Sequence, residues 1–282
     1  MDISPDICTG TEFWVDSNTG SDSKNNGRDP RHPYATIDNA IGKCTASNGD
    51  VINVFPGHTE TITAAGGITC DVAGVTIVGL GYGNLRPTIS YTTATTATFA
   101  ISAANVTIKN MIFDMTGVDS VDTPIYITGA GCSIIGCQME HADSGGQADC
   151  AVSATATAND LLIKDCYIFG STDAGTAAAI ELVGGTDIKI IGNIISGSYT
   201  TSVGCIRSQT TANTNIMILN NILANNTASS TKCIVLLTAS TGFIAGNMMQ
   251  ILNGTAPITG DAVSWCGANY YAATIATGST LV

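Results

Sequence analysis

The chain has 282 residues, with 10 Lys and Arg against 22 Asp and Glu, and a formal net charge of −12. Four arginines and six lysines scattered singly along so acidic a chain exclude a bare nucleic-acid binder, which needs a basic surface to displace counterions. Charged residues are only 11% of the total, so the surface must be built from Thr, Ser, Asn and Ala; no apolar run reaches the ~20 residues of a membrane span, and the opening MDISPDICTG has no export-signal pattern.

Residues 13–44, FWVDSNTGSDSKNNGRDPRHPYATIDNAIGKC, differ from everything that follows. Pro33 followed by Thr36, Ile37, Ala40 and Ile41 predicts a short amphipathic helix, the kind of plug that covers the open first coil of a solenoid. The run Asp16, Asn18, Gly20, Asp22 alternates oxygen donors like a calcium loop but lacks its terminal bidentate Glu, so it reads first as a turn and second as a metal site. GLGYG at 79–83 leads into no helix and therefore lacks the setting of a phosphate-binding loop.

From Val75 onward the sequence repeats itself. VTIVGLGY, VTIKNMIF, CSIIGCQM, LLIKDCYI, IKIIGNII, IMILNNIL and GFIAGNMM each read as a strand, a small or turn residue, and a second strand. Their third residues, Ile77, Ile108, Ile134, Ile163, Ile190, Ile218 and Ile244, recur with a period of about 28. A further ladder, led by Thr98, Pro124, Cys150, Ala179, Cys205, Cys233 and Asp261, gives each coil a third strand. The segments alternate with period two and are rich in Val, Ile and Thr, which excludes helical and leucine-rich repeats. The fold expected is all-β: a single-domain right-handed parallel β-helix of about 28 residues per coil, with a short N-terminal capping helix. Its parts are a strand and capping segment at 1–45, the β-helix at 46–260, and a C-terminal cap at 261–282 that carries Trp265, Tyr270 and Tyr271.

Stacked coils align like residues, and one such column reads Leu80, Met111, Cys137, Cys166, Asn193, Asn221, Asn247. Its asparagines should form an inward amide ladder, and the two cysteines among them mark the ten cysteines as reduced, small core residues. No CxxC, CxxH or HExxH spacing occurs and His32, His58 and His141 lie far apart, so no metal and no cofactor is expected.

The N-terminal segment, with VDS, GSD, a Gly, two prolines, YATIDNAI and then GDVINVFPGHTETI, resembles the start of right-handed parallel β-helix proteins of the pectate-lyase-like superfamily. VAGVTIVGLGYGNLRPTI and AANVTIKNMIFDMTGV resemble β-helix proteins encoded among phage structural genes. The resemblance spans nearly the whole chain and is specific for fold, because lyases, tailspikes and capsid-attached proteins share it.

Lyases of this superfamily work with a basic residue beside calcium-binding carboxylates. Alternation puts Ala100, Tyr126, Val152, Glu181, Arg207, Val235 and Val263 outward on the corresponding face, where only Glu181 and Arg207 are charged. They read first as a structural ion pair and second as a catalytic couple. The best acidic constellation is Asp114 above Glu140, with His141 and Asp143 beside them; it reads as a solvated edge, or as the carboxylate pair of a glycosidase. Asp119, Asp122, Asp149 and Asp173 extend this edge from loops. Outward positions of the paired strands are increasingly apolar toward the C-terminus: Leu162, Tyr167, Ile191, Ile194, Met217, Leu219, Ile222, Phe243 and Met248 form the expected oligomer interface.

The reading that follows is a phage virion structural protein without enzymatic activity, a capsid decoration or cement protein at the virion surface, assembled in the host cytoplasm. Its partners are further copies of itself, three by the resemblance, and the major capsid protein or another virion protein, with no nucleic acid and no membrane. The alternatives are a tailspike-like polysaccharide depolymerase, lyase or glycosidase, and a glycan-binding module in which stacked Tyr126 and Tyr167 are the first candidate contacts.

Overall fold

A computed structural model describes residues 8–141, 148–170, 176–200, 203–253, 256–259 and 265–272. Three parallel sheets run the length of the molecule, each taking one short strand from successive coils. Among the described residues sheet A has ten strands, sheet B nine and sheet C eight, and the chain visits them in the order A, B, C before climbing to the next coil. The register is that of the repeat, since Ile77 pairs with Ile108, Ile134 with Ile163, and Ile190 with Ile218. The fold is an all-β parallel solenoid with almost no helix.

Each coil bends where a residue can adopt the left-handed backbone. Between sheets A and B these are Asn110, Gly136, Asp165, Gly192, Asn220 and Gly246, with φ between 53° and 70°. A second such set, Asn105, Gly131, Asp160, Asp187 and Asn215, precedes sheet A. Gly, Asn and Asp tolerate this region best, which is why β-branched strands are punctuated by these three residue types at fixed offsets.

Inside, Ile77, Ile108, Ile134, Ile163, Ile190, Ile218 and Ile244 are all buried in one continuous core. Past each left-handed turn the inward column continues through Met111, Cys137 and Cys166 to Asn193, Asn221 and Asn247, all buried. The amides form the expected ladder. Asn193 donates from its backbone N and its Nδ2 to Asn221 Oδ1, both at 2.9 Å, and Asn221 does the same to Asn247 Oδ1, again at 2.9 Å. Each Nδ2 also reaches a carbonyl of the preceding coil, Ile163 or Ile190. Asn269, absent from the expected column, extends the ladder by one rung, accepting from Asn247 N at 3.0 Å. The nine described cysteines are all free thiols. For Cys266 only the backbone is described.

The N-terminal strand Glu12–Val15 pairs with Val51–Val54 and opens sheet A. The helix is Ile37–Ile41, and it buries Ile37, Ala40 and Ile41 over the first coil, worth roughly 1.5–3 kcal/mol for each isoleucine. Its start is tied down by side chains: Thr36 caps Asn39 N, Glu60 Oε2 accepts from Ile37 N at 2.9 Å, and just before the helix Asp22 accepts from Ala35 N and Thr36 N. Behind Glu60 lies buried His58, whose Nδ1 accepts from Ser17 N. At the far end, Trp265–Cys266 and Tyr270–Ala272 add strands to sheets A and B, so this stretch continues the solenoid as a partial coil.

On sheet C the register departs from the expected ladder by one residue. Tyr126 and Glu181 both pair with Ser153. Val152 therefore points into the core, where it is buried, and Ser153 takes the expected outward place. The extra residue lies in the preceding connection, so the position aligned with Pro124 is Ala151 and not Cys150. After Val235 the outward position passes to Thr259; Val263 and Asp261 lie outside the described residues.

Candidate functional site

The outer face of sheet B carries two parallel columns. One reads Thr88, Ile112, Gln138, Tyr167, Ile194, Ile222, Met248, Tyr270, and the other Ser90, Asp114, Glu140, Phe169, Ser196, Ala224, Gln250. Strand pairing sets Asp114 directly beside Glu140 and Glu140 directly beside Phe169. Neighbouring strands lie ~4.8 Å apart, so two carboxylates and an aromatic ring occupy adjacent rungs.

The two acids are held differently. Asp114 Oδ1 accepts from Thr116 N at 3.1 Å and from Thr116 Oγ1 at 2.6 Å, which fixes its orientation. Glu140 is half-buried, and burial together with the neighbouring Asp114 charge pushes its pKa up. Beyond Glu140, the rings of Tyr167 and Phe169 stack with centroids 4.5 Å apart and planes 18° off parallel. Arg86 closes the near side, donating to Gln138 Oε1 and Gly83 O. The site is thus a carboxylate pair with an aromatic platform on the next rung. Tyr167 is expected at the interface or, with Tyr126, as a glycan contact, but Tyr126 lies on sheet C; Phe169 belongs to no expected site, and its i, i+2 spacing from Tyr167 is the available signal for one outward face.

One member of the expected constellation, His141, does not join it. His141 is the next residue of the same strand, so alternation turns it inward, where it is fully buried; burial lowers its pKa to about 4. Asp143 and Asp173 lie outside the described residues.

Asp122 and Asp149 belong to a second group, at sheet C. Arg207 Nε donates to Glu181 Oε2 at 2.7 Å, with Nη2 on the same oxygen, and both side chains are largely buried. Glu181 and Arg207 thus form the structural ion pair. Burial, with Asp122 and Glu181 adding negative charge, pushes the Asp149 carboxyl up. Among the described residues no three His, Cys, Asp or Glu side chains come together as a metal site. The Asp16 run is a turn: Asp16 accepts from Asn18 N and Thr19 Oγ1, and these bonds outweigh burial and lower its pKa.

The expected interface residues divide between two faces. Leu162, Ile191, Met217, Leu219 and Phe243 lie on sheet A, where the first four are half-buried. Tyr167, Ile194, Ile222 and Met248 lie on sheet B and are exposed. The turn between sheets A and B separates the two sets, so they do not make the single flank expected of them.

No protein-family model matches the chain, and no curated protein matches it in sequence. Solved structures do share the fold. A pectate lyase, Pel9A, aligns over 93% of this chain and 80% of its own with a TM-score of 0.50 at 15% identity. A rhamnogalacturonan lyase aligns over 86% of this chain and 74% of its own with a TM-score of 0.45 at 14% identity. The fold this likeness shows is the right-handed parallel β-helix, the architecture of that pectate lyase. This corrects the expectation of a protein without enzymatic activity: the architecture is shared with a lyase, and a missing lyase-like residue pattern on one face no longer excludes catalysis. At this identity the likeness shows the fold alone, and what this chain does must be argued from its own side chains.

Proposed function

We propose that the chain is a virion-surface β-helix, of the capsid-decoration or tailspike kind, that recognises a host surface polysaccharide on the outer face of sheet B and cleaves it there. The observation that carries this reading is Asp114 beside Glu140 on adjacent rungs, with the Tyr167–Phe169 stack continuing the same face. A sugar ring presents an apolar face that packs on an aromatic ring and hydroxyls that meet carboxylates and amides, and both kinds of group are here in one line. The flat ladder suits an extended chain.

The strand spacing is near the ~5–5.5 Å carboxyl separation used by retaining glycosidases. In that chemistry Glu140, whose raised pKa favours the protonated form, donates its proton to the glycosidic oxygen as the bond to the anomeric carbon breaks. Asp114 forms a bond to that carbon. Glu140, now ionised, takes a proton from water, and the resulting attack on the same carbon releases Asp114. Arg86 and Gln138 position the chain.

The test is incubation with host capsular or surface polysaccharide, reading chain length and end groups. Shortened chains with saturated reducing ends, lost in Glu140→Gln and Asp114→Asn, are the expected result. Unsaturated ends would assign an elimination instead, and chains of unchanged length would remove the cleavage step. Electron microscopy of virions carrying labelled protein checks the location.

A further inference from the structure

We infer that the C-terminal half of the sheet B face is a contact between copies of this chain, a strip separate from the carboxylate site. The strip starts past the Tyr167–Phe169 stack and runs down Ile194, Ile222, Met248 and Tyr270, which are 43%, 46%, 53% and 68% exposed. Beside it lie Ser196, Ala224 and Gln250. Not one of these seven outward positions is charged, in a chain of net charge −12.

Two features select a second copy as the occupant. The first is charge: two strongly acidic molecules repel each other wherever their carboxylates face, and this strip is where they approach without that cost. The same acidity disfavours an anionic lipid surface, which is held by Lys and Arg flanking the apolar residues. The second is geometry and area. Large side chains present ~150–250 Å² each, so the four leave on the order of 400 Å² uncovered, a patch of the size that is often functional on a monomer. Two such strips brought together, with the flanking Ser196, Ala224 and Gln250 of each, reach on the order of 1,000 Å², the lower bound of a specific interface. A straight column with a rise of ~4.8 Å per side chain also matches its own copy, because the ridges of one interleave with the gaps of the other at any whole-coil offset.

The test uses the full chain without polysaccharide, so that its outcome is independent of the proposed glycan site. Sedimentation equilibrium at micromolar concentration should give a mass of two or more chains. Ile194→Asp with Ile222→Asp, both on the outside, should weaken association at least about 100-fold while circular dichroism keeps the strand signal. Should that pair fail to fold, the milder Ile222→Ser with Met248→Ser reads the same loss. Thr61→Asp, an outward residue at the other end of sheet B, should leave the mass unchanged. A monomeric parent protein overturns the inference, as does a folded double variant that keeps the parent mass. A monomer that binds a different protein through this strip overturns it equally.

Discussion

The column after each left-handed turn is filled in two ways, and the two halves of the molecule can be compared position by position. In the N-terminal half it holds Met111, Cys137 and Cys166; in the C-terminal half it holds Asn193, Asn221 and Asn247, with Asn269 as the last rung. The backbone is the same in both, since Gly136 and Gly192 have nearly equal φ, as do Asn110 and Asn220. What differs is how the buried backbone groups of the turn find partners. Each asparagine accepts from the amide of the preceding rung and donates to a carbonyl of the preceding coil, whereas each cysteine offers only a soft sulphur, which Cys137 directs toward the carbonyls of Ile135 and Ile108. A solenoid coil therefore tolerates either a small apolar filler or a fully connected amide, and a half-connected amide is the arrangement it should not tolerate.

The strongest way to break the comparison is to put the filler into the amide half. Asn221→Leu strands the backbone N and Nδ2 of Asn193, which both donate to Asn221 Oδ1, and removes the donor to Ile190 O. With two buried donors unpaired, the cost is about 4 kcal/mol, read as a lower urea midpoint at unchanged slope. A variant that unfolds at the parent midpoint would mean that the ladder carries no stability of its own.

A second contrast lies one column further along sheet B, where His141, Gly170, Gly197 and Asn225 occupy equivalent inward positions. Asn225 is connected, accepting from Tyr199 N and donating to Lys232 O. His141 has no partner for either ring nitrogen among the described residues, and burial holds its pKa at about 4 against 6.5 for the free group. The folded state thus keeps the ring neutral while the unfolded chain takes up a proton first. Stability is full above pH ~6.5, falls as the pH drops toward ~4, and levels off below; the loss amounts to about 3 kcal/mol. Replacing His141 by Leu should remove that part of the pH dependence, measured as the difference between the two unfolding profiles. Parallel profiles would show that the histidine is not the titrating group.

Much of this was legible in the sequence, for a physical reason. A parallel solenoid repeats the same environment every coil, so the buried isoleucines, the left-handed Asn, Asp and Gly, and the amide column all leave a periodic trace. The trace failed where the period changed. A one-residue insertion before Ser153 moved Val152 from the outside to the core, and the shorter last coil hid Asn269. The candidate site was half legible: Asp114 and Glu140 were paired by the repeat, but His141 was attached to them by nearness in sequence, although a strand turns successive residues to opposite faces. Tyr167 and Phe169 were out of reach as a stacked pair because ring orientation leaves no mark on spacing. The apolar outer residues were correctly read as facing out, yet merged into one flank, because period two distinguishes inside from outside and says nothing about which of two adjoining sheets an outward residue belongs to.

The smallest expected effect is the most discriminating. Cys166 sits directly above Asn193, and its backbone N already donates to Asn193 Oδ1 at 2.9 Å, just as Asn193 N donates to Asn221 Oδ1. The rung geometry is therefore in place one coil before the amides begin. In Cys166→Asn the new Nδ2 would meet Asn193 Oδ1 and the carbonyl of the coil above, and the new Oδ1 would face the amide of Cys137. Nothing is left unpaired, and the volume change is small, so the variant should differ from the parent by less than about 1 kcal/mol. Asn221→Cys, the reverse exchange deeper in the ladder, should cost several times more, because it removes the acceptor on which Asn193 depends. Urea unfolding of the two variants side by side measures the asymmetry. Equal costs would mean that the column responds to side-chain size alone, and the difference between the two halves would then be one of packing with no part played by the hydrogen bonds.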